Sequence, residues 1–220
     1  MSEGAWELAG TIRKHLRSRK TGALSTISST HKGYPYTSSI AYVLDEQAWP
    51  VFLASRLAEH TENILVDSRV SLLIADTDES GTQAGKRIAV LGNVKSLDAR
   101  HSTSLISLYK AVFPTSLKFL ALGDFSFYMI EPLAVRYIGG FGQIRWLSRE
   151  YFQMPDGFPD IDPLVASVNI EARSAILHIA HCLTATSTTD AEILFIDPDG
   201  LYLRCDKRYR RLDFPERTPL

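Results

Sequence analysis

The feature that most limits what this chain can fold into is a succession of short β-branched and aromatic runs separated by turn chemistry. "GALSTIS", "YPYTSSIAYVLD" and "PVFLAS" follow one another, with "STHKG" and "DEQAW" between them. Runs of this length with such short connections read as antiparallel hairpins. Pro35 gives no N–H to a ladder, so it argues for an edge position or a bulge at that end. "KRIAVLGNVKSLD" follows the loop "DTDESGTQAG", and Gly92 in its middle marks a bulge where a barrel corner bends. "DFSFYMIEP" and "LAVRYIGG" predict two more strands joined at Glu131-Pro132. Roughly six to seven strands with helices at the joints, rather than in regular alternation, point to an antiparallel barrel.

Helical periodicity appears around this barrel. Trp6, Leu8, Ala9, Ile12 and Leu16 share one face of residues 3–19, with Arg13, Lys14, Arg17 and Arg19 on the others. "ARHSTSLISLYKAVF" reads as a helix ended by Pro114. Pro155, Gly157, Pro159 and Pro163 cluster in "YFQMPDGFPDIDP", which predicts a boundary between a barrel domain over 1–150 and a small domain over 160–220. In the latter, Asp162 and Pro163 suit the N-cap and first position of a helix through about Leu183. "AEILFIDPDGLYLRCD" reads as a hairpin, and "YRRLDFP" adds a last strand. A unit this small buries little apolar surface alone and should lean on the barrel. The fold class expected is α+β: an antiparallel split barrel with flanking helices plus a small C-terminal α+β domain.

With a net charge of −1, 220 residues carry no global electrostatic attraction for nucleic acid or an anionic membrane. Two cysteines, Cys182 and Cys205, form no framework spacing and fit a reduced compartment. No apolar run reaches membrane-spanning length and no leader pattern opens the chain, so a cytoplasmic location is expected.

The stretch "FLASRLAEHTENILVDSRVSLLIAD" changes character twice, from strand to helix and back. A helix starting near Leu57 would aim unpaired N–H groups and the positive end of its dipole at the space beside Ser55. Arg56 adds a planar fork suited to phosphate, Ser55 and Thr61 add hydroxyls, and a protonated His60 adds a further donor. Such a group suits a phosphate monoester. The plain alternative is a serine cap beside a solvated arginine.

Together "YPYTSSIAYVLD", that junction, "VRYIGGFGQIRWL" and "RRLDFP" resemble the FMN-type split-barrel superfamily. Within it they resemble the pyridoxamine-phosphate-oxidase-related proteins with a small C-terminal domain, among them the haem-utilisation (HugZ-like) proteins. The resemblance runs from Thr21 to Pro215. It implies a six-stranded split barrel, a homodimer, and a cofactor cleft at the dimer interface. It also implies FMN binding by Ser55, Arg56, His60, Thr61 and Asn63, with His60 where many relatives place a lysine. Thr37, Ser38, Ser39 and Ile40 would lie along the flavin ring, with Ser38 and Ser39 as contacts.

Two departures bear on the chemistry. The "WRLAP" ending of true pyridoxamine-phosphate oxidases is absent. Where haem-utilisation relatives carry His-Met-Asn-x-x-His, this chain has Ser167-Val168-Asn169-Ile170-Glu171-Ala172, and no histidine follows His181. Pro215 to Leu220 is also too short for the terminal helix and loop of longer relatives. Three functions follow: an FMN-dependent oxidoreductase of unknown substrate, a haem-binding or haem-degrading protein using the same cleft, or a cofactor-free dimer. Under the haem reading the iron ligand comes from His15, His31, His60, His101, His178 and His181. No residue stands out as a catalytic acid or base. No metal cluster is expected from His178, His181 and Cys182, "GGFG" reads as a backbone device, and Lys207, Arg208, Arg210 and Arg211 as a solvated strand edge.

Overall fold

The computed structural model describes residues 3–76, 85–97, 103–139, 143–152, 158–184, 188–206 and 208–215. The loop "DTDESGTQAG", Gly140 to Gly142, His101, Lys207 and much of the Pro/Gly boundary segment fall wholly or largely outside them. The described residues form two units. One gathers residues up to 44, 48–98 and 119–153; the other gathers 45–47, 99–118 and 154–220.

In the first unit the strands are β1 (Thr21–Ile27), β2 (Pro35–Leu44), β3 (Pro50–Ser55), β4 (Arg69–Ala75), β5 (Arg87–Ser96), β6 (Phe125–Ile138) and β7 (Ile144–Ser148). All pair antiparallel in the order β3-β2-β1-β4-β5-β6-β7, and a further β3–β6 pairing closes the first six into a barrel with β7 attached. The alternation read from the sequence is what closes it. Leu24, Ile40, Tyr42, Phe52, Leu72, Ile74, Ile88, Val90 and Ile130 fill the interior. Helix α1 (Glu3–Ser18) adds Ala9, Ile12 and Leu16 to the same core, and α2 (Glu59–Val66) lies between β3 and β4 in the chain.

Parts of the barrel differ from expectation. The two strands joined at Glu131-Pro132 are one continuous strand, β6, of 14 residues. The register shifts opposite Gly92: Gly92 faces Pro132, Leu91 faces Ala134, and Leu133 is the extra residue. That one residue reverses which side chains point inward, from Tyr128 and Ile130 before it to Val135 and Tyr137 after it. Gly92 is required there because a Cβ would strike the Glu131 carbonyl. Pro35 begins β2, as its missing N–H predicts. Arg13 and Arg17, expected on solvent faces, are buried; Arg13 donates to the Tyr151 carbonyl at 2.9 Å.

The second unit holds α3 (Thr103–Val112), α5 (Ile161–Glu171), α6 (Arg173–Thr184) and a sheet of β8 (Ala191–Asp197), β9 (Gly200–Cys205) and β10 (Arg208–Asp213) in the order β10-β9-β8. A short helix, α4 (Ser116–Leu120), precedes β6. The single helix expected from Asp162 is two, broken at Ala172, and the N-cap is Asp160. Asp162 caps α3 instead: its carboxylate accepts from the Thr103 amide and hydroxyl, both at 2.7 Å, and from the Ser104 amide at 2.9 Å. Asn169 bonds both backbone groups of Ile193, at 2.9 and 2.7 Å, where β8 slips register against β9.

Candidate functional site

The strand-to-helix junction forms where expected, but its groups divide between solvent-facing and enclosed. Helix α2 starts at Glu59 with Ala58 as N-cap, and no side chain caps it. Ser55 is neither cap nor free donor. Its hydroxyl donates to the Asp124 carboxylate and accepts the Leu57 amide at 3.0 Å. The Asp124 carbonyl also accepts the Arg56 amide at 2.9 Å, so this one residue ties the β3–α2 loop to the segment before β6. A carboxylate thus stands where a phosphate was expected to meet Ser55. Arg56 is exposed and its guanidinium has no partner among the described residues. The amides of Glu59 and His60 are likewise unpartnered there, as a helix start dictates.

His60 is half-buried on the first turn of α2, with Nδ1 3.2 Å from the Ser38 hydroxyl oxygen. Burial holds the imidazole below the usual histidine range. Nothing charged on the neighbouring strands opposes that, because β1 ("TGALSTI") and β2 ("PYTSSIAYVL"), which both pack on α2, carry no Asp, Glu, Lys or Arg. The ring is therefore a neutral imidazole at pH 7. Nε2 has no partner among the described residues.

The remaining expected contacts lie elsewhere. Thr61 and Asn63 are fully buried. Helix phase turns them inward with Ile64. The Asn63 amide is occupied: Nδ2 donates to Thr26 Oγ1 at 3.0 Å, and Oδ1 accepts the Ser29 amide and hydroxyl at 2.8 and 2.9 Å. Ser39 faces away from Ser38, since successive strand residues point to opposite sides. It shares the outer surface of the sheet with Thr37, Ala23, Ser25, Ser71 and Leu73, and Ser25 and Thr37 bond across it at 3.0 Å. Of the seven expected site residues, the structure directly joins only Ser38 and His60, with Arg56 open nearby in the chain.

The other histidines are placed differently. His15 is half-buried with Nε2 3.3 Å from Asp76; burial lowers its pKa more than Asp76 raises it. His31 is exposed on the β1–β2 loop, and His178 and His181 are exposed on α6 of the second unit. Cys182 sits 3.9 Å from His178, and no group of three or more metal-ligating side chains occurs among the described residues. The basic run near the C-terminus is only partly a solvated edge. Arg211 is largely buried and pairs with fully buried Asp197 at 2.8 Å. A cleft of about 430 Å³ opens between α1 and the β6–β7 pair, lined by Glu7, Leu8, Thr11, Tyr137, Gln143 and Arg145. It contains none of the expected site residues. Sequence reasoning missed Asp124, and it gave Asp162 to its own helix and not to α3, because the partners of both are distant in the chain.

Comparison with known proteins bears on both fold and site. A family model described as "CREG, beta-barrel" matches residues 5–153. Over 218 residues the chain is 29% identical to the chloroplastic non-canonical heme oxygenase HOZ of Arabidopsis thaliana, covering 94% of this chain and 67% of that protein. Among solved structures, Atu2129 of Agrobacterium tumefaciens, of unknown function, matches with a TM-score of 0.71 at 23% identity, over 99% of this chain and 91% of that one. A heme-binding protein of Mycobacterium smegmatis matches with a TM-score of 0.60 at 24% identity and the same coverage. At those identities the two structures speak to the fold. The split-barrel resemblance read from the sequence holds, and the chain belongs to the CREG β-barrel family.

Proposed function

We propose that the protein binds haem beside α2, with His60 Nε2 as the iron ligand. One observation carries this reading: a half-buried, neutral imidazole has one nitrogen held by Ser38 and the other without a partner among the described residues. A neutral imidazole suits iron, and burial that disfavours the protonated ring favours ligation. Arg56, exposed and without a partner among the described residues, would hold a propionate by charge-assisted hydrogen bonds. Leu57 and Leu122, exposed at 80% and 67%, lie on the two segments that Asp124 ties together and would offer apolar contact to the macrocycle. Bound haem would supply redox chemistry at iron, while these side chains bind and orient it. The 29% identity to a non-canonical heme oxygenase supports the same cofactor class.

FMN is the second reading. Arg56 and the unpartnered first-turn amides of α2 favour a phosphate. Against it, Ser55 is occupied by Asp124, Thr61 and Asn63 are enclosed, and His60 offers no positive charge at pH 7. A homodimer belongs to the proposal under either cofactor. The outer surface of β1, β2 and β4 presents Ala23, Ser25, Thr37, Ser39, Ser71 and Leu73, and the centre of an interface is likewise poor in charge.

Absorbance titration of the purified protein with haemin and, separately, with FMN tests the choice. A shifted, saturating haem band with haemin, and no perturbation of FMN absorbance, is expected. Saturable binding of FMN alone would overturn the haem reading, and binding of neither would leave the cofactor-free dimer.

A further inference from the structure

We propose that the cleft between α1 and the β6–β7 pair is a binding site in its own right, one that takes a zwitterion of amino-acid to dipeptide size. Its volume, about 430 Å³, lies within the range of small-molecule sites. Helix α1 builds one wall. Its core stripe of Ala9, Ile12 and Leu16 packs on the barrel, and Glu7, Leu8 and Thr11 form the neighbouring stripe that faces the cleft. The helix is fixed there by the edge-on contact of Trp6 with Tyr151, ring centroids 5.1 Å apart, and by Arg13 on the Tyr151 carbonyl at 2.9 Å. Strands β6 and β7 build the other wall, where Tyr137 and Arg145 pair directly across the ladder and so share a face.

Tyr137 is the observation that points to a ligand. It is only 4% exposed, yet its hydroxyl has no hydrogen-bond partner among the described residues and is not sealed from solvent. A buried phenol ordinarily finds a partner. A Cβ at residue 139 would strike that hydroxyl, so Gly139 is what lets it stand there. Opposite it, Arg145 gives one N–H to the neighbouring Ile144 carbonyl at 2.9 Å, and the rest of its fork has no partner among the described residues. Guanidinium and phenol together suit a carboxylate. On the α1 wall the Glu7 carboxylate has no cation partner among the described residues, Arg145 included, which suits an ammonium group. A cation and an anion that line one space without pairing are both met by a ligand carrying both charges, while Leu8 offers contact to an apolar side chain. The cleft contains none of Ser38, Arg56 and His60, so the inference is independent of the haem reading.

The test is calorimetric titration of the full chain with glycyl-leucine, with N-acetylglycyl-leucine, which lacks the ammonium, and with glycyl-leucinamide, which lacks the carboxylate. Wild type should bind the dipeptide saturably and each blocked form about tenfold more weakly. Arg145→Gln should weaken dipeptide binding about tenfold and abolish its advantage over the amide, whereas Glu7→Gln should abolish its advantage over the N-acetyl form. Tyr137→Phe should weaken dipeptide binding without lowering the melting temperature, an effect that packing of the ring alone would not produce. Backbone nitrogen-15 shifts on adding the dipeptide should fall on α1, β7 and the end of β6. Lack of saturable binding overturns the site, as do shifts confined to other elements. Equal affinity for the three compounds, or affinities unmoved by both charge variants, overturns the zwitterion as its ligand.

Discussion

Asn63→Ala separates a residue that touches the ligand from one that holds the site's framework. The side chain is fully buried and takes part in three hydrogen bonds, two from Ser29 and one to Thr26. Each is worth about 0.5–1.5 kcal/mol net, and the Ser29 amide left without an acceptor adds a desolvation penalty. The sum is about 3 kcal/mol. For a barrel unit of this size that corresponds to a fall of roughly 6–12 °C in melting temperature. Circular dichroism melts give the stability, and haemin titration well below the transition gives affinity per folded molecule. The structure predicts a large loss of stability with affinity nearly unchanged. A variant that melts within about 2 °C of wild type yet binds haemin or FMN much more weakly would show that Asn63 contacts the ligand, and would refute its assignment as a framework residue.

Other outcomes follow from the same geometry. Arg211→Met should lower the urea midpoint by the equivalent of about 3–5 kcal/mol, because it strands the Asp197 carboxylate in the interior; adding Asp197→Leu should recover much of the loss. A fragment of residues 160–220 lacks α3, which Asp162 caps and β8 packs against, so it should show no cooperative thermal transition. Sedimentation equilibrium at micromolar concentration should give a dimer, and a stable monomer would refute the pairing surface on β1, β2 and β4. The Lys95 hydrogen bond, with Lys95 and Arg149 charges outweighing burial, holds Glu131 below its usual range. A depressed folded-state pKa adds stability above the unfolded value and loses it as pH falls. Glu131→Gln should therefore melt below wild type near neutral pH and converge with it as the pH falls through and below the ordinary carboxylate range.

Much of the barrel was legible because period-two burial survives in β1, β4 and β5 and the β1–β2 and β2–β3 connections are short. The continuity of β6 was not, since Pro132 reads as a joint until Gly92 is seen to receive it across the sheet. The break between α5 and α6 is hidden by an apolar stripe that continues through Ala172, with neither glycine nor proline to mark it. Burial of Arg13 depends on a carbonyl 138 residues away. At the strand-to-helix junction, the change of element was readable but the hydrogen bonding was not. Ser55 looked like a donor because its captor, Asp124, lies 69 residues on, and the Ser38–His60 contact spans 22. Helix phase offered a usable signal: Thr61 shares a face with Ile64, and Asn63 lies beside it, so both were candidates for the interior.

The central claim is that His60 is the iron ligand, and low-temperature electron paramagnetic resonance of the ferric haem complex addresses it most directly. Wild type should give a histidine-ligated signal. In His60→Gln that signal should be replaced by that of haem without an imidazole ligand, while the apoprotein keeps its melting temperature. Identical spectra from wild type and His60→Gln would contradict the account and move the iron to another residue.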